Sequence, residues 1–278
     1  MNKILPFPSM QAITESYIKR IHTDHPAEEL QDQIITEAPL EILIGYTHAG
    51  ARLRAPVAAT MRTPGDDLNL VAGWLFAEGI IHGKDDLLNV RFTDNTDTVL
   101  AELHPSVVYD PEIHQRQFPI SSACGWCGRY AGRGEQAQIL PKNLTIPKEL
   151  IYRLPEVLRS GQGLFSATGG AHAAALVDEQ GQLVLRCEDV GRHNAMDKLI
   201  GAMLQQKKLP LHRHIVVFSG RFGYELAQKA LVAGIQIACS IGAPSSAAIE
   251  LAEAYGMTVC GFVRNEVYNI YSSPERLQ

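Results

Sequence analysis

Ile215-Val216-Val217-Phe218-Ser219-Gly220-Arg221-Phe222-Gly223-Tyr224-Glu225-Leu226-Ala227-Gln228-Lys229-Ala230-Leu231-Val232-Ala233-Gly234-Ile235-Gln236-Ile237-Ala238-Cys239-Ser240 is the stretch that decides the fold class. Its first four residues are apolar at every position and too few for a helix, as expected of a strand buried on both faces. Tyr224 to Ala233 then reads as a helix closed by Gly234, and Ile235 to Ser240 as the next strand. The cycle repeats with a helix over Ser245–Tyr255 and a strand over Met257–Val263. Upstream, Lys148–Arg159 reads as a helix. Ala173–Val177 and Leu183–Cys187 read as strands around the turn Glu179-Gln180-Gly181, and Asn194–Gln206 as a helix with Met196, Leu199, Ile200, Met203 and Leu204 on one face. Strands alternating with helices predict a layered α/β domain over residues 143–278, and the lack of a fixed-period repeat argues against a solenoid.

Residues 1–142 have a different pattern. Ile34-Ile35 and Leu40-Glu41-Ile42-Leu43-Ile44 run into a turn around Gly45 to Gly50, and Ala51 to Thr60 returns as a second strand. Thr63-Pro64-Gly65-Asp66-Asp67 starts a helix whose Leu68, Val71, Leu75 and Phe76 keep a helical period up to Gly79. Val90–Phe92 and Val99–Leu103 flank Asp94-Asn95-Thr96-Asp97 as a hairpin. These elements predict a smaller α+β domain. It ends in a long loop over Pro105–Lys142, rich in proline, glycine, glutamine and arginine, of the kind that usually carries function.

Within that loop lies Ser121-Ser122-Ala123-Cys124-Gly125-Trp126-Cys127-Gly128, with Arg129 and Arg133 following. Paired thiols in an exposed, electropositive loop serve metal binding, redox exchange or sulfur handling. Cys187, Cys239 and Cys260 stand singly in apolar stretches, so no second Cys-x-x-Cys completes a four-thiolate zinc site, although histidine or a second chain could complete one. A thioredoxin-like motif would sit at a strand-to-helix junction near the start of a chain, whereas this pair is mid-chain.

The 278 residues are 46% hydrophobic and 20% charged, an ordinary globular composition. A formal net charge of -5 gives no general basic field for nucleic acid, so an anionic ligand must be held by a local cluster. Met1–Met10 lack a signal-peptide pattern, no stretch reaches membrane-spanning length, and an odd count of five cysteines fits a reducing compartment. The expectation is a cytoplasmic protein with no nucleic-acid or membrane partner.

Four polar segments fall where strands meet helices or turns, the position at which open α/β sheets bind ligands. Thr168-Gly169-Gly170-Ala171-His172 offers close backbone approach and an imidazole. Glu188-Asp189-Val190-Gly191-Arg192-His193-Asn194 places carboxylates at a helix start and adds Arg192 and His193 for an anion or a base. Ser219-Gly220-Arg221-Phe222-Gly223-Tyr224-Glu225 offers backbone N–H groups, the Ser219 hydroxyl and the Arg221 guanidinium to a phosphate. Ser240-Ile241-Gly242-Ala243-Pro244-Ser245-Ser246 is the fourth. Singly, each has a plainer reading: Asp189 and Ser245 as helix caps, His172 as a core histidine, Arg221 as the partner of Glu225. Together they predict one ligand-binding edge, with no Walker A loop or Rossmann fingerprint to fix the ligand.

The cysteine pair, Thr168 to Leu176, Glu188 to Lys198, Ser219 to Ala230 and Ser240 to Glu253 together resemble the formate dehydrogenase accessory sulfurtransferase family, FdhD. The resemblance implies a sulfurtransferase that accepts persulfide sulfur from a cysteine desulfurase and delivers it to the molybdenum cofactor, bis-molybdopterin guanine dinucleotide, for formate dehydrogenase. It also implies a cytidine-deaminase-like fold for residues 143–278 and a homodimer. Cys124 matches the family's persulfide-bearing position, with Cys127 as a resolving or relaying thiol. Cofactor binding is carried to Phe262, Val263, Arg264, Asn265, Glu266 and Val267, where Val-Arg-Asn-Glu-Val replaces a Lys-Pro-Gly-Arg run of some relatives, and to His172, Arg192, His193, Ser219 and Arg221. Gly223 stands where a serine is common. A guanine nucleotide would mimic part of the cofactor. Deamination is excluded on residues: a zinc deaminase needs His-x-Glu and Pro-Cys-x-x-Cys, but Ala173-Ala174 follow His172 and no proline precedes Cys124. The rival of a different class is a nucleotide-binding chaperone whose cysteine pair binds zinc or senses redox state.

Overall fold

The computed structural model describes residues 11–111 and 137–278; Met1–Met10 and the segment 112–136, which holds the cysteine pair, lie outside them. Strands β1 (Ile13–Arg20) and β2 (Glu28–Ile35) form a two-stranded antiparallel ribbon. Then come β3 (Ala38–His48), β4 (Ala51–Arg62), helix α1 (Asp67–Ala77), β5 (Leu87–Phe92) and β6 (Thr98–Leu103). β3 buries Ala38, Leu40, Ile42, Ile44 and Tyr46 at the two-residue period that puts one face of a strand on a core. It extends to His48, so the turn expected around Gly45 to Gly50 falls at the end of that range. The chain reverses at Ala49 and Gly50, whose φ values of 48° and 79° suit a two-residue hairpin turn. The four strands order as β4-β3-β6-β5, with β3 and β6 parallel.

The second half begins with helices α2 (Glu149–Arg159) and α3 (Gly163–Thr168), followed by β7 (His172–Asp178), β8 (Leu183–Asp189), α4 (Arg192–Gln205) and β9 (His214–Phe218). It closes with α5 (Tyr224–Val232), β10 (Ile237–Ser240), α6 (Ser246–Tyr255), β11 (Thr258–Gly261) and β12 (Asn269–Ser272). The six strands order as β12-β11-β10-β9-β7-β8. β9, β10 and β11 are parallel, whereas β7 runs antiparallel to both β8 and β9. Side chains alternate cleanly between two cores. Ala174, Leu176, Val216, Phe218, Ala238 and Val259 face one, and Ala173, Ala175, Val177, Ile215, Val217, Ile237 and Cys239 face the other. Burial on both faces explains the continuous apolar runs. The molecule is thus a layered α/β structure in which α1 lies on the smaller sheet, α4 on the larger, and α1 packs on α4.

That helix pair is joined through glycine. A Cβ on Gly73 of α1 would overlap the Asp197 carbonyl oxygen and lie 2.7 Å from the Gly201 nitrogen; one on Gly201 of α4 would overlap the Asn69 carbonyl oxygen and lie 2.8 Å from the Gly73 nitrogen. The helices touch backbone to backbone. Leu70, Val71, Trp74, Leu75 and Phe76 of α1 and Met196, Leu199, Ile200 and Met203 of α4 enter one continuous core with residues of both sheets. A helix buried all round can afford no polar face, which is why α1 shows little amphipathicity.

Buried charges fix the register of this packing. Lys198 of α4 lies 2.8 Å from Asp189 and donates to the Thr63 carbonyl at 2.9 Å, while the Thr63 N–H donates to Asp189 at 3.1 Å. Asn194 donates to the Met61 carbonyl at 2.7 Å and to Asp189 at 2.9 Å. The β8–α4 turn is thereby stapled to the end of β4. One helix turn on, Asp197 takes Lys229 of α5 through both oxygens at 2.5 and 2.6 Å. Truncating one member of such a buried pair leaves an uncompensated charge, at a cost of about 3–5 kcal/mol.

The β1–β2 ribbon, the six-residue α3 and the C-terminal strand β12 were not foreseen, β10 starts later than the expected Ile235–Ser240, and β11 is shorter at both ends than Met257–Val263. No helix among the described residues is long and apolar enough to cross a membrane. Replacing Gly201 by alanine should force α1 and α4 apart, costing about 3 kcal/mol and lowering the melting temperature by on the order of 10 °C. Thermal denaturation checks this against Gly83→Ala, where an added Cβ meets open space and no change is expected.

Candidate functional site

Because β9, β10 and β11 are parallel and β7 is antiparallel to β8 and β9, one edge of the larger sheet collects five chain segments. They are the start of β7 and the ends of β8, β9, β10 and β11. All four polar segments singled out in the sequence, and residues 262–267, therefore meet at one edge, as open α/β sheets place their ligand sites.

The loops after β9, β10 and β11 are laced backbone to backbone. The Gly242 N–H donates to the Gly220 carbonyl at 3.2 Å, and the Phe262 N–H donates to the Gly242 carbonyl at 3.0 Å. A Cβ on Gly242 would stand 3.0 Å from the Arg221 nitrogen and from the Gly220 carbonyl, so a side chain there would press the loops apart. The Ser219 hydroxyl accepts the Ala173 N–H at 2.9 Å and lies 3.4 Å from His172 Nδ1. Ser219 thus ties the start of β7 to the end of β9 and holds the imidazole beside Gly220, whose missing Cβ leaves room for the ring at 3.2 Å.

Burial keeps His172 below the ordinary imidazole range, with the neighbouring Arg192 guanidinium acting in the same direction. Burial likewise pushes His193 down to about 4, against the opposing pull of Glu225. Both rings are neutral at pH 7 and act as hydrogen-bonding groups. His193 Nε2 is 3.9 Å from a Glu225 oxygen, while its Nδ1 is buried without a hydrogen-bond partner. Arg221 is exposed and makes no ion pair among the described residues, so the Arg221–Glu225 pairing is not formed; Glu225 lies 3.8 Å from Lys229.

The carboxylates of the 188–194 segment do other work than the helix start to which the sequence pointed. Glu188 accepts the N–H groups of Leu164 at 3.2 Å and Phe165 at 2.9 Å, capping α3, while Asp189 accepts the Gly191 N–H at 2.8 Å and pairs with Lys198. The cap reading of Ser245 holds: its hydroxyl accepts the Ala248 N–H at 3.3 Å. Within 262–267 the roles divide. Val263 is fully buried, and Arg264 donates to the carbonyls of Ile241 at 2.7 Å and Val263 at 2.9 Å. Phe262, Asn265, Glu266 and Val267 are exposed. Phe262, at a φ of 53°, holds the left-handed conformation that turns the chain at this edge.

Behind the edge lies a cavity of about 440 Å³ lined by His172, Ser219, Gly169, Gly170, Ile241, residues of α2, Gln162 at the α2–α3 junction and Phe165 of α3. Sequence reasoning missed the last two, because a six-residue helix shows no periodicity. Cys124 and Cys127 lie outside the described residues. The residues that border their segment reach the opposite edge of the sheet: Leu140 donates its N–H to the Tyr255 carbonyl at 2.9 Å, and Gln138, Ile139 and Leu140 line a groove with Leu209, Pro210 and His212 before β9. On the other side of the segment, the Tyr109 ring stacks edge-on to Tyr46 at 4.9 Å. Among the described residues no cluster of three or more histidine, cysteine or acidic side chains could hold a metal.

Comparison with known proteins fits this architecture. The chain is 40% identical over 247 residues to the sulfur carrier protein FdhD of Sulfolobus acidocaldarius, covering 89% of this chain and 92% of that one. It is 41% identical over 261 residues to the sulfur carrier protein FdhD of Streptomyces coelicolor, covering 88% and 89%. A crystal structure of a candidate formate dehydrogenase accessory protein from Desulfotalea psychrophila superposes with a TM-score of 0.76 over 96% of this chain and all of that one; at 21% identity it speaks to the fold alone. With residues 35–278 matching the model of the FdhD/NarQ family, the chain belongs to that family.

Proposed function

We propose that this protein is a sulfur carrier: Cys124 accepts sulfur from a cysteine desulfurase, and the sulfur passes to bis-molybdopterin guanine dinucleotide, held at the strand-end edge, for use by formate dehydrogenase. The observation that carries this reading is the state of the other thiols. Cys187, Cys239 and Cys260 are buried and free. Burial pushes the Cys187 thiol up to about 12, and a thiol hydrogen bond with Cys260, together with full burial, holds Cys239 well above its ordinary value. Thiolates are the nucleophiles of sulfur exchange, so Cys187 and Cys239 are held inert, Cys260 is sealed from any donor by full burial, and the chemistry falls to Cys124 and Cys127. The relatives named sulfur carriers support sulfur carriage as the role.

In the first step the Cys124 thiolate attacks the outer sulfur of a desulfurase cysteine persulfide. The new S–S bond forms on Cys124, the old one breaks, and the desulfurase cysteine leaves as thiolate, with no net oxidation. In the second step the Cys127 thiolate attacks the inner sulfur of the Cys124 persulfide. This forms a Cys124–Cys127 disulfide and expels hydrosulfide, which carries the electron pair to the acceptor. A dithiol reductant then restores both thiols. The edge supplies the groups an anionic dinucleotide needs: the exposed Arg221, Arg192 at the start of α4, the neutral His172 and His193, and the backbone around Gly220 and Gly242. The orphaned Nδ1 of His193 and the glycine cradle are what a bound polar ligand would fill. We assign the functional unit as a homodimer.

Incubated with a cysteine desulfurase and cysteine, the protein should gain the mass of one sulfur atom on Cys124, seen by mass spectrometry of peptides. An equal gain in Cys124→Ala, or stoichiometric zinc lost in Cys127→Ser with no sulfur gained, contradicts the proposal. Arg221→Ala should weaken GDP binding by about 1.5–3 kcal/mol, the worth of a charge-assisted hydrogen bond, measured by calorimetry. Unchanged affinity places the phosphates elsewhere.

A further inference from the structure

The cavity behind the strand-end edge contains a group that the fold itself leaves unused. Gln162 is only 4% exposed and lines this cavity, and its Nε2 has no hydrogen-bond partner. A buried amide donor left unpaired keeps its desolvation cost with nothing to offset it, and such groups are rare in folded proteins. Packing alone would be served better by leucine. The backbone of Gln162 is fully engaged, its N–H donating to the Arg159 carbonyl at 3.1 Å and its carbonyl accepting the Ser166 N–H at 3.0 Å. The origin of the side chain is therefore fixed at the α2–α3 junction.

Phe165 lines the same cavity three residues further on and is 47% exposed, although a phenylalanine gains most from burial. Gln162 is the N-cap of α3 and Phe165 lies in its first turn, and both line the same cavity. Their helix is held by the Glu188 carboxylate, which accepts the Phe165 N–H at 2.9 Å, and by Thr168, whose hydroxyl donates to the Leu164 carbonyl at 2.7 Å. On the far side of the cavity stand His172 and Ser219. An exposed aromatic face, a buried unsatisfied N–H donor and about 440 Å³ of space match a flat heteroaromatic ring that carries a carbonyl acceptor.

We propose that Gln162 and Phe165 form a ring subsite, in which Phe165 stacks on a lactam-bearing heterocycle and Gln162 Nε2 donates to its carbonyl. The subsite rests on the reading of this edge as the place where a nucleotide-bearing ligand binds. Both guanine and pterin carry that lactam, and either could fill it.

The test is titration of the intact protein with GDP, neopterin and inorganic pyrophosphate. Gln162→Leu and Phe165→Ala should each weaken GDP or neopterin about tenfold while leaving pyrophosphate unchanged. The ligand whose affinity falls identifies the ring. Arg221→Ala should weaken pyrophosphate and GDP alike. Since Gln162→Leu removes an unsatisfied donor, its melting temperature without ligand should equal or exceed that of the parent. Unchanged GDP and neopterin affinities in both Gln162→Leu and Phe165→Ala, or a destabilised Gln162→Leu, overturn the subsite, and the edge still stands as the ligand site if Arg221→Ala weakens GDP. If the parent protein binds none of the three probes, the reading of the edge falls and the subsite with it.

Discussion

Everything in this molecule hangs on the contact between Gly73 and Gly201. Backbone meets backbone there, so α1 and α4 approach more closely than any side chain would permit. The approach lets one apolar core run from the smaller sheet to the larger. Close contact alone would leave the helices free to slide, because apolar packing has little directionality. The buried clasp of Asp189, Lys198 and Thr63, and the Asp197–Lys229 pair from the adjacent residue of α4, remove that freedom. Buried ion pairs are weak sources of net stability but strong determinants of a single arrangement, and here each is charge-matched and hydrogen-bonded.

The same clasp positions the candidate site. Asp189 fixes the turn from which Arg192 and His193 project, while its neighbour Glu188 reaches across to cap α3 and so holds Gln162 and Phe165 against the cavity. One short acidic segment thus couples the helix interface, the strand-end edge and the cavity wall. Ligand-ready groups gather where the parallel strands end, whereas Gln138, Ile139 and Leu140 lie against the residues where those strands begin. Cys187 on β8, Cys239 on β10 and Cys260 on β11 are all buried inside the larger sheet, and burial holds the Cys187 thiol in its protonated form.

The layered α/β architecture was legible because strands buried on both faces write continuous apolar runs, such as Ile215 to Phe218, and the helices between them end at glycine. The convergence of the polar segments followed from the strand alternation. What the sequence hid was long-range. Gly73 and Gly201 carry no signal in the sequence, since a glycine inside a helix ordinarily only costs stability and the backbone that needs its space lies far along the chain. Glu188 and Asp189 looked like local helix-start carboxylates, but their partners lie 24 and 126 residues away. The β1–β2 ribbon escaped notice because Glu15, Lys19, Glu28, Gln31 and Asp32 give it no apolar face. Gln162 carries no motif; only its burial beside a cavity marks it. The positions of Cys124 and Cys127 lie outside the described residues, and their roles rest on chemistry and on the family.

Sulfur carriage is tested most directly by following the atom. The protein is loaded with radiolabelled sulfane sulfur by a cysteine desulfurase, freed of donor, and mixed with unsulfurated bis-molybdopterin guanine dinucleotide. The label should leave Cys124 and appear on the cofactor, with no label taken up or delivered by Cys124→Ala. Label that stays on the protein, or that reaches the cofactor equally well without Cys124, would contradict it.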